Sequence, residues 1–357
     1  MRCQIDMTTP IYRITADAKI EFIENIDEVP WWLFDRLPQG FAGRVYAKQV
    51  LKQHPEFSSD LRDWSDLVVL QLLSEYPVDA IGHLLIGEND LERYWVAENC
   101  PVSLADLPRL AEQAKEFCQT LISGEQPKFC CYIEQVGHCI VKFAETERQA
   151  DLLIAEHVAL SILNDAGISA AQTTLFREGH YQFLIIRRFD CVGWSTRRGV
   201  VSLKALDMEF VGSRDQRWPV IARQLVEQGI VEARSLHTIE RLFCFGRLIA
   251  NSDMHSGNLS FFDNGYTPFV LTPAYDQLPM AYVASDKQKN FIITIDTDLS
   301  NLPWNEVLPL ALRFWKTLSD QTLLSCSFQG DAAQIFHYVQ HDIAQKISEM
   351  WSTNHRS

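Results

Sequence analysis

Apolar and polar residues recur along this chain with periods that predict its elements one at a time. Residues 236–250 (LHTIERLFCFGRLIA) carry Leu236, Ile239, Leu242, Phe243 and Ile249 near helical spacing, which predicts a buried helix. Residues 259–262 (LSFF) and 266–271 (YTPFVL) predict two strands around the turn Asp263-Asn264-Gly265. A second hairpin is predicted from the strand KFCCYIE (128–134), the turn Gln135-Val136-Gly137 and the strand HCIVKFA (138–144). A helix over roughly 147–166 follows, closed by Gly167, and then a strand FLIIRRFD (183–190). LVVLQLLSEYP (67–77) reads as a short buried helix or strand, and Ser103 as a helix cap within 101–123. Ile335, Phe336, Val339, Ile343, Ile347 and Met350 predict a core-facing helix over 331–351. Segment 204–218 (KALDMEFVGSRDQRW) reads as loop-rich, and Trp31 and Trp32 as a packing junction. Three units result: 1–110, 111–190 and a mostly helical 191–357.

Against these elements, one polar octet stands out. Residues 251–258 read Asn-Ser-Asp-Met-His-Ser-Gly-Asn, between the predicted helix and hairpin, and Asp276 follows the second strand. The interval from Asp253 to Asn258 equals that from Asp to Asn in the kinase catalytic loop H-R-D-L-x-x-x-N. Phosphoryl transfer uses a carboxylate near the attacking hydroxyl, an amide oxygen on Mg²⁺ and a second carboxylate on the same metal. Asp253, Asn258 and Asp276 match those roles in that order. The alternative is a capped loop with solvated Asp and Asn. Upstream, a short polar loop holds Ser123 and Gly124, Lys142 lies in the second hairpin strand, and Glu156 lies mid-helix. In a kinase N-lobe such a Lys holds nucleotide phosphates and such a Glu fixes the Lys. Taken singly, Lys142 also fits a snorkelling strand-edge residue, and Glu156 a surface helix charge.

Together these stretches resemble the HipA-type serine/threonine kinases, the toxin half of bacterial toxin–antitoxin pairs, in particular their YjjJ-like branch. The matching segments are GEQPKF (124–129), IVKFA (140–144), LIAEHVALSILNDAGIS (153–169), IIRRFD (185–190), LIANSDMHSGNLSF (248–261) and LTPAYDQLPMAY (271–282). FDRLPQGFAGR (34–44) and DAIGHLLIG (79–87) are similar to the family's small N-terminal subdomain.

The resemblance implies an α+β, two-lobed protein-kinase-like (HipA-like) fold: an N-terminal subdomain over 1–110, a kinase N-lobe over 111–190 and a helical C-lobe with the catalytic loop over 191–357. It implies ATP and Mg²⁺ as cofactors. Asp253, Lys142 and Glu156 are the implied catalytic set, and Asn258 and Asp276 the implied metal ligands. Ser123, Gly124, Lys128, Lys142, Arg187, Phe189 and His255 are the implied nucleotide contacts. His255 is expected to shape the loop by hydrogen bonding, and Arg188 to pair with an acid. Lys142, Asp253, Asn258 and Asp276 are expected to converge on one cleft. Implied partners are a protein substrate, an aminoacyl-tRNA synthetase being a frequent target in the family, and an antitoxin protein.

Two departures bear on regulation. The family's autophosphorylated loop serine corresponds here to Leu121, with Thr120 and Ser123 out of register, so the resemblance does not extend to self-inactivation by that route. Ser123 also stands where a loop glycine is usual, and its Cβ restricts an anion cradle. YjjJ-like proteins carry a winged-helix-like segment before the small subdomain, and residues 1–30 leave no room for it.

Composition narrows the partners. The formal charge of −14 argues against a nucleic-acid surface on this chain, because phosphate contacts need clustered Lys and Arg. Hydrophobic content of 47% with mean hydropathy −0.09 fits an ordinary globular chain, and no apolar run approaches a membrane span. Nine cysteines in an irregular pattern, with no C-x₂-C pair, argue against a zinc site and for a reducing cytoplasm. Three other readings stay open: a small-molecule or lipid kinase, a degenerate non-catalytic binding module, and a metal-dependent nuclease or phosphohydrolase built on Asp253, His255 and Asp276.

Overall fold

The computed structural model describes residues 8–15, 17–97, 101–117, 122, 124–281, 299–319 and 345. The expected helix over 331–351 lies outside these residues save for position 345, and so do Thr120, Leu121 and Ser123. The chain divides into two compact units. The first comprises Met1–Phe143, Ile185–Glu209 and Phe261–Tyr266. The second comprises Ala144–Leu184, Phe210–Ser260 and Thr267–Ser357.

The first unit opens with a three-stranded antiparallel sheet in the order Ile20–Ile26, Thr9–Ile14, Leu84–Ile86. Ile11 and Ile86 are cross-strand partners, and both are buried. The helices Gly40–Val50 and Asp66–Glu75 supply Val45, Tyr46, Val50, Leu70 and Leu73 to the same core. Burial of each such side chain stabilises by about 1.5–3 kcal/mol. The 67–77 run is therefore a helix; Ser65 caps it by accepting from Val68 N at 3.4 Å. Trp32 packs against this core, as the junction reading expects.

The second hairpin forms as predicted, Lys128–Ile133 against Gly137–Ala144. Gln135 and Gly137 take positive φ in its turn. Its register pairs Phe129 with Val141 on one face and Lys128 with Lys142 on the other. The hairpin belongs to a four-stranded sheet in the order Lys128–Ile133, Gly137–Ala144, Tyr181–Arg187, Thr173–Glu178. The strand expected over 183–190 ends at Arg187, because Arg188 turns its side chain into a buried ion network.

The second unit is built on helices. Thr146 caps Glu147–Asp165, where Gln149 N donates to its hydroxyl at 3.4 Å. This helix is buried on most sides through its middle, where its apolar residues cluster and Asp151 and Glu156 are buried with them. The helices Trp218–Glu227, Ala233–Leu248 and Trp304–Leu318 complete the bundle, with Trp315 Nε1 donating to Leu248 O at 3.1 Å.

Two expectations need correction. Segment 204–218 is not mainly loop: a helical turn at Leu203–Leu206 runs on into a π-helical turn at Asp207–Val211. Ser202 starts it by accepting from Ala205 N at 3.1 Å. The strand expected over 266–271 shrinks to Val270–Leu271. Pro268 lacks an N–H for a ladder. Phe269 instead receives Glu232 N at 3.0 Å and donates to Ile230 O at 2.8 Å.

Candidate functional site

Lys142 belongs to the first unit; Glu156, Asp253, Asn258 and Asp276 belong to the second. Each group is described within its own unit.

In the second unit the helix Ala233–Leu248 ends in a Schellman turn. Ala250 N donates to Arg247 O at 3.1 Å and Asn251 N to Gly246 O at 2.8 Å, with Ala250 at positive φ. That turn releases the chain into the polar octet. Asn251, 2% exposed, then organises the octet with its side chain. Its Oδ1 accepts from Asp253 N at 3.1 Å, and its Nδ2 donates to Asp276 O at 3.1 Å. One amide thus ties the backbones of both acids together. Asp276 has φ +55°, a left-handed conformation that Asp tolerates better than most residues. Asn258 Nδ2 donates to Asp253 O at 2.9 Å. A carbonyl only accepts, so the nitrogen of Asn258 must face it, and Oδ1 is left for a different partner.

The rest of the octet is braced from three sides. His255 Nδ1 accepts from Gly257 N at 3.1 Å, the loop-shaping role expected of it. Trp218 Nε1 donates to His255 O at 3.0 Å. Tyr275 donates to Gly257 O at 3.2 Å while accepting from Ser260 Oγ at 2.6 Å. Among these braces the Asp253 side chain remains 53% exposed, and His255 Nε2 stands 3.8 Å from its Oδ1, beyond hydrogen-bond reach. A half-exposed carboxylate on a fully braced loop suits a group that meets an incoming substrate. Replacing Asn251 with Ala removes both ties at once. It should lower stability by about 1–3 kcal/mol and speed amide exchange at Asp253, as read by denaturant titration and hydrogen exchange. Unchanged exchange at Asp253 would refute the clamp.

Glu156 is fully buried, as is Asp151 a turn and a half earlier on the same helix. The surface-charge alternative for Glu156 is therefore excluded. Nothing in the local pattern singled out Asp151, whose neighbours are apolar.

In the first unit Lys128 and Lys142 are directly opposite across the antiparallel pair, 5% and 6% exposed. Neither is a strand-edge residue snorkelling to water. Like charges directly opposite on one sheet face are unfavourable unless other groups offset them, and both lysines take part in further interactions in the structure. Gly124 has φ +109°, and a Cβ there would stand 2.7 Å from Lys128 Nζ. The left-handed φ is what calls for glycine at this point of the loop, since the lysine end could swing aside. Arg187 is exposed and lines a cavity of about 260 Å³ with Tyr132, His138 and Trp194. Phe189 is half-buried, its ring edge-on to Phe262 at 5.9 Å.

Arg188 pairs with acids, as expected, and with more of them than one. Its Nε and Nη2 reach Asp190 at 3.0 and 2.6 Å, Nη2 also donates to Ala80 O at 2.8 Å, and Nη1 bonds Asp79. Arg197 lies 3.7 Å and Arg93 3.9 Å from Asp79. Burial alone would raise the Asp79 carboxyl, but Arg188, then Arg197 and Arg93, outweigh it and hold the group far below the usual carboxylate range. Asp190 is likewise lowered: burial is offset chiefly by Arg188.

A family model for the HipA-like C-terminal domain matches residues 120–347, and one for the YjjJ-like toxin middle domain matches residues 6–95. The chain is 36% identical to Toxin YjjJ of Escherichia coli (strain K12) over 346 residues, 91% of this chain and 77% of that relative. It is also similar to a chain in the solved complex of the Shewanella oneidensis MR-1 toxin–antitoxin system HipA and HipB with operator DNA. The TM-score is 0.56 and the identity 16%, over 89% of this chain and 84% of that one. At that identity the likeness bears on the fold, which is HipA-like and α+β. No helix among the described residues is long and apolar enough to cross a membrane.

Proposed function

The chain belongs to the HipA-like family, in its YjjJ-like toxin branch, and on that premise we propose that it is a Mg²⁺- and ATP-dependent kinase that phosphorylates a protein hydroxyl and acts as a toxin. The observation that carries the reading is the wiring of the octet: Asn258 spends its amide nitrogen on Asp253 O, and Asn251 joins Asp253 to Asp276.

The donor set fits the cofactors. An amide oxygen at Asn258 and a carboxylate at Asp276 are hard oxygen ligands of the kind Mg²⁺ takes. The facing pair Lys128 and Lys142 suits the phosphates, with Gly124 lying over Lys128. Bound Mg²⁺ would supply charge neutralisation on the phosphates. Asp253 orients the acceptor hydroxyl and takes its proton as the oxygen bonds to the γ-phosphorus and the bond from that phosphorus to the β–γ bridging oxygen breaks. Lys142 holds the remaining phosphates, and Glu156 keeps Lys142 in place. Arg187 and Phe189 contribute the strand end that meets adenine. His255 acts through the loop, by its bond to Gly257 N.

An antitoxin protein is the proposed partner, supported by likeness to a chain solved with HipB and operator DNA. With a charge of −14, this chain would reach DNA only through a basic partner. The acceptor is proposed to be a protein serine or threonine, an aminoacyl-tRNA synthetase among the candidates, and the compartment the cytoplasm.

Two measurements test this. Mg-ATP at about 100 times its Kd should stabilise the wild type by about 2.7 kcal/mol, several degrees in melting temperature, and should not stabilise Lys142→Met. Induced expression of the wild type should stall growth and create new phosphoserine or phosphothreonine sites in the proteome. Growth arrest that persists undiminished in Lys142→Met, with no new sites in the wild type, would sink the kinase reading.

A further inference from the structure

We propose that the start of the helix Gly40–Val50 is the positioning element for the phosphate loop, so that Gly40, Phe41 and Arg44 set the affinity for nucleotide without touching it. The inference rests on the reading of Gly124–Lys128 as a phosphate cradle and names what holds that cradle in place.

Three contacts fasten the loop, one per residue. Phe41 N donates to Gly124 O at 3.1 Å. Arg44 grips Glu125 in a two-point pair, Nη1 to Oε1 at 3.2 Å and Nη2 to Oε2 at 2.6 Å. Gln126 Nε2 donates to Phe143 O at 2.6 Å, next to Lys142. The first two come from the start of one helix, where Phe41 and Arg44 are three positions apart. That helix is itself rigidly backed: Ala42, Val45, Tyr46 and Val50 are buried in the core of the unit.

Gly40 makes the approach possible. A Cβ at Gly40 would stand 2.7 Å from Gly124 O and 3.0 Å from both Gly124 C and Gly124 N. Those are backbone atoms, so the peptide itself would have to move. The displacement would fall on the glycine whose Cβ direction points at Lys128 Nζ, 2.7 Å from where a Cβ would stand, and Lys128 is the cross-strand partner of Lys142. Gly40 also has φ +61°, where a side chain is strained in its own right. Helix start and loop glycine thus meet directly, and Lys128 with its cross-strand partner Lys142 lies next in line within the first unit.

The test uses the full chain. Titration calorimetry gives the Kd for Mg-ATP, steady-state labelling gives KM and kcat, and a thermal melt gives stability. Gly40→Ala should raise Kd and KM about tenfold, a loss of about 1.4 kcal/mol, and leave kcat within about twofold. Gly137→Ala is the control for backbone strain: Gly137 also has positive φ but no atom within 4 Å of its added Cβ. It should lose stability and keep the wild-type Kd. Arg44 and Glu125 side chains are 56% and 71% exposed, so breaking their pair should not move the melting temperature by more than a degree or two. Arg44→Glu and Glu125→Arg should each weaken Mg-ATP about threefold, and the double exchange should restore it. These exposed variants keep the test sound if Gly40→Ala does not fold. Wild-type Kd in Gly40→Ala or in both single charge reversals, or a Kd change in Gly137→Ala as large as that in Gly40→Ala, overturns the inference and leaves the kinase reading standing. Failure of the wild type to bind Mg-ATP overturns both.

Discussion

Asp253→Ala should transfer phosphate from labelled ATP to protein at a rate about a thousandfold below the wild type, the middle of the range for loss of a positioned general base, and should fold normally. The structural half of that expectation follows from where the bonds are. Asp253 holds its loop through its backbone, whose N–H goes to Asn251 and whose carbonyl receives Asn258. Its carboxylate is 53% exposed and lies beyond hydrogen-bond reach of His255. Cutting back a half-exposed side chain costs within about 0.5 kcal/mol. Nucleotide binding should survive, because Lys128, Lys142, Asn258 and Asp276 are unchanged. The variant thus separates chemistry from binding, and the melt with Mg-ATP reads the second. Labelled phosphate transfer that persists at the wild-type rate removes Asp253 from the mechanism.

The largest stability effect is expected at Arg188→Met. The Arg188 side chain is 1% exposed and neutralises Asp190, also 1% exposed, together with Asp79. Removing one partner of a buried ion network leaves uncompensated charge and costs about 3–5 kcal/mol, a large share of the roughly 5–15 kcal/mol that holds a typical fold. The pH dependence gives the sharper test. Both aspartates have folded pKa values below their ordinary ones, so they add stability above about pH 4, the unfolded value, and that contribution is lost as pH falls further. Wild-type stability should therefore hold from neutrality to about pH 5 and fall below pH 4. In Arg188→Met the chief partner that lowers both carboxyls is gone, and burial, opposed now only by Arg197, Arg93 and the Gly82 N–H, raises them relative to the wild type. Mild acid should then relieve the variant, and its deficit should be smaller at pH 4.5 than at pH 7. Denaturant midpoints at the two values decide it. A deficit equal at both means that the network contributes packing rather than charge.

The parts that local patterns announce are the parts that formed close to where they were expected. The hairpin around Gln135–Gly137 and the helix from Glu147 have signals a few residues apart: two apolar-rich runs around a short turn with Gly137, a Thr cap, a glycine stop. The helix expected from 236 starts at Ala233 and ends at Leu248, with its C-cap at Ile249. Where a pattern depended on a distant partner, it misled. Residues 266–269 look like a strand, yet Phe269 spends its backbone on the loop before Ala233. KALDMEFV at 204–211 reads as loop from its mixed polarity, and a cap at Ser202 makes it helical.

By itself the chain determined its family, its α+β composition and the order of its chemical groups, because a spacing such as Asp253 to Asn258 is carried by the covalent backbone. Only tertiary structure decided that Lys142 and Glu156 are buried, that Asn251 is the residue joining two acids, that Gly40 and Phe41 meet Gly124, and that Arg188 meets Asp79 from 109 positions away. Such pairings follow from which surfaces the apolar core brings together, and no local period records them.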